Sequence, residues 1–293
     1  MASIFVTGAG GFVGRAAVAE LARRGHRVLA LAHQSPVPPP AEAVRGDLLD
    51  PSTYRAAIAS ADAVLHLAAA TGKALPADHQ RINAEGTRAL AQACRAAGGR
   101  RLLFVSSVAA GFPADARYPY ARAKAEGEAA VAASGVPFTI ARPTIVVGPG
   151  SAVLAGLRKL AGLPVMPVFG TGAVRVQPVW VGDLAVVLAD LVEQVRFGGE
   201  TIGIGGPETP TIQEFMTAVR RAMGRGDGPV MHLPLPLVIP PLTVLESFAY
   251  RFLPVTVGQL ASFRYDGTVS AHDVVDARRA SMKSVRDMLA ASA

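Results

Sequence analysis

The sequence predicts an α/β fold, a doubly wound parallel sheet followed by a smaller, irregular lobe. Over residues 1–148 short β-branched or leucine-rich runs alternate with longer alanine-rich segments, the alternation of strands and crossover helices in a parallel sheet. A glycine-rich turn, Thr7-Gly-Ala-Gly-Gly-Phe-Val-Gly14, stands between the first such run and the first alanine-rich segment. The 293 residues suffice for such a domain and a second lobe, without a disulfide or metal staple.

Taken in order, strands are expected at 4–7, 27–31, 63–67, 101–106 and 138–142, and helices at 11–24, 51–60, 78–97 and 120–134. The helices close near glycines, as at Gly25, Gly98-Gly99 and Gly135. The segment 34–41 contains four prolines and reads as a surface loop. Gly148-Pro-Gly150 breaks the rhythm and marks passage from a dinucleotide-binding domain, 1–148, to a substrate lobe and tail, 149–293, from which later segments can return to the sheet. Beyond it come a helix near 152–160, a strand-like run at 174–179, a helix at 182–195, a strand at 200–203 and a helix at 211–223. The polar, charged tail from Ser270, with a short amphipathic helix near 282–289, is expected to pack weakly or fray.

Composition excludes several classes. One cysteine, Cys94, without Cys or His neighbours at zinc-ligand spacing, argues for no metal and for a reducing compartment, the cytoplasm. The net charge of +7 is spread over pairs such as Arg23-Arg24, Arg100-Arg101, Arg220-Arg221 and Arg278-Arg279, read as solvated charge with no nucleic-acid motif beside them. No basic-then-apolar leader precedes the first strand. The most apolar stretch, 229–257, holds six prolines, too many for a membrane-spanning helix.

The chemistry sits in four places. Gly8, Gly11 and Gly14, with Gly10 between them, let backbone approach a pyrophosphate at a positive helix end. Asp47, with Leu48, offers a carboxylate to an adenine amine, and Val64-Leu-His-Leu-Ala-Ala69 ends a buried strand on small residues that admit a cofactor, with His66 read as a packed core residue. Ser106-Ser107 ends another strand. Tyr120 and Lys124, four apart, share a helix face, and a neighbouring ammonium would favour the phenolate of a tyrosine that normally titrates near pH ~10.

These motifs, with Asn83 and Gly86-Thr87, and with Arg142-Pro143 followed by Gly148-Pro149, resemble the extended short-chain dehydrogenase/reductases, the NAD-dependent epimerase/dehydratase family. The resemblance implies a Rossmann-type domain in which Tyr120 is the general acid/base and Lys124 contacts the nicotinamide ribose. It implies Ser107 as the catalytic hydroxyl, with Ser106 one register away, and hydride passing to or from the nicotinamide ring. It places cofactor contacts at Gly8, Gly10, Gly11, Phe12, Val13, Gly14, Arg15, His33, Asp47, Leu48, Leu67, Ala68, Ala69, Asn83 and Pro143, beside Tyr120 and Lys124. Tyr118, followed four residues on by Arg122, takes a packing or rim role. Relatives often dimerise through helices corresponding to 78–97 and 120–134.

No acidic residue lies between His26 and Ala41 to hold the ribose hydroxyls of NAD, so NADP(H) is favoured over NAD(H), with His33 or Arg15 meeting the 2′-phosphate. Val108-Ala-Ala110 after Ser107 lacks the Asp-Glu pair of the dehydratases. The second lobe is apolar, with 233–245 and 248–254 as a cover, which favours a reductase or dehydrogenase acting on an apolar small molecule. The alternative enzyme is a nucleotide-sugar epimerase, with Arg251 and Arg264 holding a diphosphate. A non-enzyme alternative comes from Gln177-Pro-Val-Trp-Val-Gly-Asp183 and Leu253-Pro-Val-Thr-Val-Gly-Gln259, similar to the nucleotide-binding accessory subunit of respiratory complex I. There the dinucleotide is structural or sensory and the apolar lobe contacts a partner or, peripherally, a membrane. The set Ser107, Tyr120 and Lys124 favours catalysis.

Overall fold

Ile4, Phe5 and Val6 are each 1% exposed or less, an unbroken apolar run of the kind buried on both faces of a parallel sheet. That strand and those like it organise a computed structural model describing all residues except 34, 35, 73, 114–116, 195, 196, 251, 252, 254 and 293. In chain order the first half comprises β1 (Ser3–Thr7), α1 (Phe12–Arg23), β2 (Arg27–Ala32), β3 (Glu42–Arg45), α2 (Arg55–Ser60), β4 (Ala63–His66) and α3 (Pro76–Asp78). A π-helical stretch, His79–Gly86, runs on into α4 (Thr87–Ala96), followed by β5 (Arg101–Val105), α5 (Pro119–Ala132) and β6 (Phe138–Pro143). The second half comprises β7 (Val146–Val147), α6 (Ala152–Ala161), β8 (Met166–Phe169), β9 (Val179–Trp180), α7 (Val181–Glu193), β10 (Glu200–Ile204) and α8 (Ile212–Ala222). It ends with β11 (Val230–Leu233), α9 (Leu235–Ala249), α10 (Asp273–Arg279) and α11 (Val285–Ala290).

Seven parallel strands form the sheet in the order β10-β6-β5-β4-β1-β2-β3. The chain winds outward from β1 to β3, then crosses back to β4 on the other side of β1. The C-terminal ends of β1 and β4 therefore flank the crevice where such sheets bind ligands. One core layer joins the sheet to α1 and α7, the other to α2, α4 and α5. The seventh strand, β10, and α7 before it come from beyond Gly148, so residues 181–204 re-enter the first domain.

Several expectations need correcting. The run at 174–179 is a strand only at its end: Val179 pairs with Val146, while Arg175 and Val176 make isolated bridges to Thr211 and Gly267. β3, β8 and β11 were not anticipated; each has four residues, and β3 is largely exposed, so neither gives a clear period. Arg24 and Arg220 are structural and not solvated: Arg24 bridges Asp190 and Glu193 of α7 at 2.8 Å, and Arg220 donates to the carbonyls of Ala161, Leu163 and Gly226. The tail does not fray in the described residues. Val275, Met288 and Leu289 are buried, Arg278 bridges Asp190, and the backbone of Lys283 and Val285 donates to Asp183 and Glu208. The end of the helix expected at 182–195 lies outside the described residues.

Candidate active site

The glycine turn is closed by contacts that only hydrogen side chains permit. Gly8 has φ +74°, and a Cβ there would sit 2.5 Å from the Ala68 nitrogen; at Gly14 it would sit 2.1 Å from the Gly8 oxygen. The turn therefore lies flat between the end of β4 and the first turn of α1, with Gly11 exposed at its crest. The first turn of α1 has no acidic residue and Gly11 provides no side-chain cap, so its backbone N–H groups face outward without a carboxylate. Phe12 and Val13 are half-buried, Val13 against the core and Phe12 toward Gly148. Arg15 is exposed and donates to the Gly10 carbonyl at 2.7 Å.

Behind the turn a polar column fixes the backbone. Thr7 Oγ1 meets His66 Nδ1 at 2.6 Å and accepts from the Ala68 nitrogen, and His66 Nε2 meets Thr87 Oγ1 at 2.9 Å. His66 is fully buried, stacked on Phe104 and held near pKa 3 by burial, then by the Lys124 charge. It is thus a neutral core residue. The strand end Leu67, Ala68 and Ala69 stays half-buried beside the turn. Asn83 clamps the segment that follows, accepting from the Ala70 nitrogen at 2.8 Å and donating to its carbonyl at 2.9 Å. The clamp sits in the π-helical stretch, an irregularity frequent at functional sites.

At the far end of the crevice His33 lies just past β2 and Asp47 just past β3, Nε2 to Oδ2 at 3.7 Å, both substantially exposed. Asp47 Oδ1 accepts from the Leu49 nitrogen at 3.0 Å. Leu48 is buried in the core against Gly86. Arg45, not anticipated, is exposed at the end of β3, its backbone paired opposite Ala32, the residue before His33. A cation at the end of β3 carries no motif of its own, and only the register reveals it.

Ser107, Tyr120 and Lys124 meet where β5 ends and α5 begins. Ser107 caps the short turn Val108–Gly111 and hydrogen-bonds Tyr120. Ser106 is buried with its Oγ unpartnered, so Ser107 is the hydroxyl at the tyrosine. Burial raises the Tyr120 pKa above the ordinary phenol value, and the Ser107 bond opposes this in part. Lys124 is 2% exposed; its Nζ donates to the Val105 carbonyl at 2.9 Å and lies 4.9 Å from the Phe104 ring centroid. Burial pulls it down to about 7, against the nearby Glu128 carboxylate. The expectation that the ammonium would favour the Tyr120 phenolate is therefore corrected: burial dominates and the group is a phenol at neutral pH. Glu128, one turn beyond Lys124, is held bidentately by Arg142 at 2.8 and 2.5 Å. Pro143 is buried at the end of β6.

On the far side of His79 and Tyr118 from this set lies a cavity of about 170 Å³, lined by those two residues and by Ile239, Thr243 and Tyr250, among others. His79 and Tyr118 pack on Tyr120 with ring centroids 5.6 and 5.5 Å away, and both line the cavity. A second cavity of about 300 Å³ runs beside it, lined by Arg117, Leu235, Ile239, Leu260, Arg264 and Tyr265. His79 escaped the sequence reading; its only signal is its place one helical turn before Asn83, with Nδ1 3.1 Å from the Ala70 carbonyl. Arg251 lies outside the described residues, while Arg264 borders the larger cavity with its guanidinium over Tyr265. Among the described residues no group of three or more His, Cys, Asp and Glu could hold a metal ion.

Residues 4–205 match the model of the NAD dependent epimerase/dehydratase family. The chain belongs to this family. It is an NAD(P)-dependent oxidoreductase, and the crevice fits the dinucleotide, because the close Gly8 and Gly14 contacts hold the turn tight against β4 and α1 while exposed Gly11 leaves the uncapped N-terminus of α1 without a side chain in front of it. The chain is 38% identical over 227 residues to the ceramide reductase of Caulobacter vibrioides (strain NA1000 / CB15N), covering 75% of this chain and 70% of that protein. It is 30% identical over 250 residues to the 2-alkyl-3-oxoalkanoate reductase of Stenotrophomonas maltophilia (strain K279a), covering 75% and 76%. The resemblance to the complex I subunit also holds: the mitochondrial NADH dehydrogenase (ubiquinone) 1 alpha subcomplex subunit 9 of Arabidopsis thaliana is 30% identical over 225 residues, covering 72% of this chain and 55% of that one. The solved structure of gox2253 superposes with a TM-score of 0.77 at 25% identity, over 100% of this chain and 97% of that one.

Proposed function

We propose that the protein is an NADPH-dependent reductase of a ketone carbonyl carried on a molecule with an apolar, alkyl-bearing body. The observation that carries this reading is a half-buried Ser107–Tyr120 pair whose tyrosine packs on His79 and Tyr118, two walls of a cavity also lined by Ile239 and Tyr250. Because burial keeps Tyr120 protonated, it is poised as an acid, the role that reduction requires. Ser107 holds the carbonyl oxygen, and Tyr120 gives that oxygen its hydroxyl proton. Lys124, one turn after Tyr120 on α5 and held by the Val105 carbonyl, would hydrogen-bond the ribose hydroxyls of a bound dinucleotide. Bound along the glycine turn, a nicotinamide dinucleotide supplies the hydride.

Two relatives named for reducing ceramide and 2-alkyl-3-oxoalkanoates support the substrate class. The preference for NADPH rests on the Arg45 guanidinium at the end of β3 and the His33 imidazole at the end of β2, which would serve as donors to a 2′-phosphate. The test is a panel of ketones of increasing alkyl length, assayed by NADPH and NADH oxidation beside nucleotide sugars. The reading expects kcat/KM to rise with chain length and to favour NADPH. Turnover of a nucleotide sugar with flat dependence on alkyl length would overturn it.

A further inference from the structure

The helix α9 has two unlike faces. One bears Ile239, Thr243 and Glu246, with Tyr250 at the C-cap, and lines the cavity that His79 and Tyr118 also wall. The other bears Leu237, Val244, Leu245 and Phe248, exposed to 73%, 62%, 50% and 85%, with Pro241 exposed between them. Residues 237, 241, 244 and 248 recur every three or four positions, so they form one stripe along the helix. Glu246 is the sole charged residue from 235 to 249, and it turns inward, its Oε1 accepting from the Val257 nitrogen at 2.5 Å. Apart from Thr243 on the cavity side, the exposed side chains described on α9 are apolar, a condition that marks a contact surface.

Charge decides what covers it. The chain carries +7, and Arg117 and Arg264 are exposed beside the inner side of the helix. A second copy would bring the same +7 and be repelled, whereas an anionic surface is drawn in. Among the described residues no helix is long and apolar enough to cross a membrane, and α9, with 15 residues, fits one that lies in the interface plane. We infer that α9 docks the protein on an anionic lipid bilayer, with Leu237, Val244, Leu245 and Phe248 in the boundary of the acyl layer. The cavities on the inner face of the helix then lie one helix diameter, roughly 10 Å, from the bilayer, near an apolar substrate partitioned into it. That last consequence rests on the proposed apolar substrate, while the docking itself does not.

The test is flotation of the full chain with vesicles of phosphatidylcholine alone or mixed with phosphatidylglycerol, for wild type and for the triple variant Leu237→Ser, Val244→Ser, Phe248→Ser. All three side chains are exposed, so the variant should keep its melting temperature and NADPH affinity. The wild type is expected to bind the phosphatidylglycerol vesicles, less so at high salt, and the variant to bind at least about tenfold more weakly. Absence of wild-type binding at low salt, equal binding by the variant, or a wild-type dimer that the variant dissociates would each overturn the inference. Vesicle binding without turnover of any long-chain ketone would defeat the proposed substrate and leave the docking standing; turnover without vesicle binding would do the reverse.

Discussion

Replacing Gly14 by alanine places a Cβ 2.1 Å from the Gly8 oxygen and 2.7 Å from the Ala9 oxygen, both backbone atoms. Since Cβ contacts under 3.0 Å are essentially never seen, the turn and α1 must part by about 0.9 Å. Overpacking of this kind costs about 1–3 kcal/mol. Taken out of the bound geometry, it weakens the dinucleotide by about fivefold to more than a hundredfold. The control is Gly25→Ala, where φ is +80° but nothing lies within 4 Å of the new Cβ. That variant meets backbone strain of about 1–2 kcal/mol, far from the turn, and should lower the melting temperature without changing affinity. Fluorescence titration with NADPH and thermal melts of both variants provide the comparison. If Gly14→Ala binds within about twofold of wild type, or Gly25→Ala weakens binding as much, the close packing of the turn is not what shapes the cofactor site.

Three other perturbations follow from the same geometry. His66 has a folded pKa near 3 against an ordinary 6.5, so its contribution is whole above pH 6.5 and falls as the unfolded chain takes up the proton. Denaturation midpoints from pH 7.5 to 5 should show a loss of about 2 kcal/mol that is absent in His66→Gln, and equal slopes would contradict the assignment. Glu128→Gln removes the carboxylate that holds Lys124 up, so the alkaline limb of kcat/KM should move to lower pH, with turnover largely recovered near pH 6; an unmoved limb would show that Glu128 serves packing alone. His33→Asp sets a carboxylate at the end of β2 and should cut the NADPH-to-NADH affinity ratio by about tenfold or more, read by titration with both cofactors; an unchanged ratio would remove His33 from the site.

The sheet was legible because its strands are unbroken apolar runs, such as Leu102 to Val105, separated by glycine-closed helices. The glycine turn and the Ser107, Tyr120 and Lys124 set were legible because short-range spacing carries their geometry. What escaped depended on contacts between distant segments. Arg45 acquires meaning only by pairing opposite Ala32, and His79 only by packing on Tyr120. The prolines at 240 and 241 obscured α9, which forms with both inside it. The tail escaped because its anchors, Asp183, Asp190 and Glu208, lie 77 to 100 residues away in sequence.

The central claim, that Tyr120 donates the proton while other residues hold the cofactor, is tested most directly by Tyr120→Phe in NADPH-dependent ketone reduction. The account predicts turnover at least about a hundredfold lower, with NADPH affinity within about threefold of wild type. Turnover within about tenfold of wild type would contradict it and move the proton to another group.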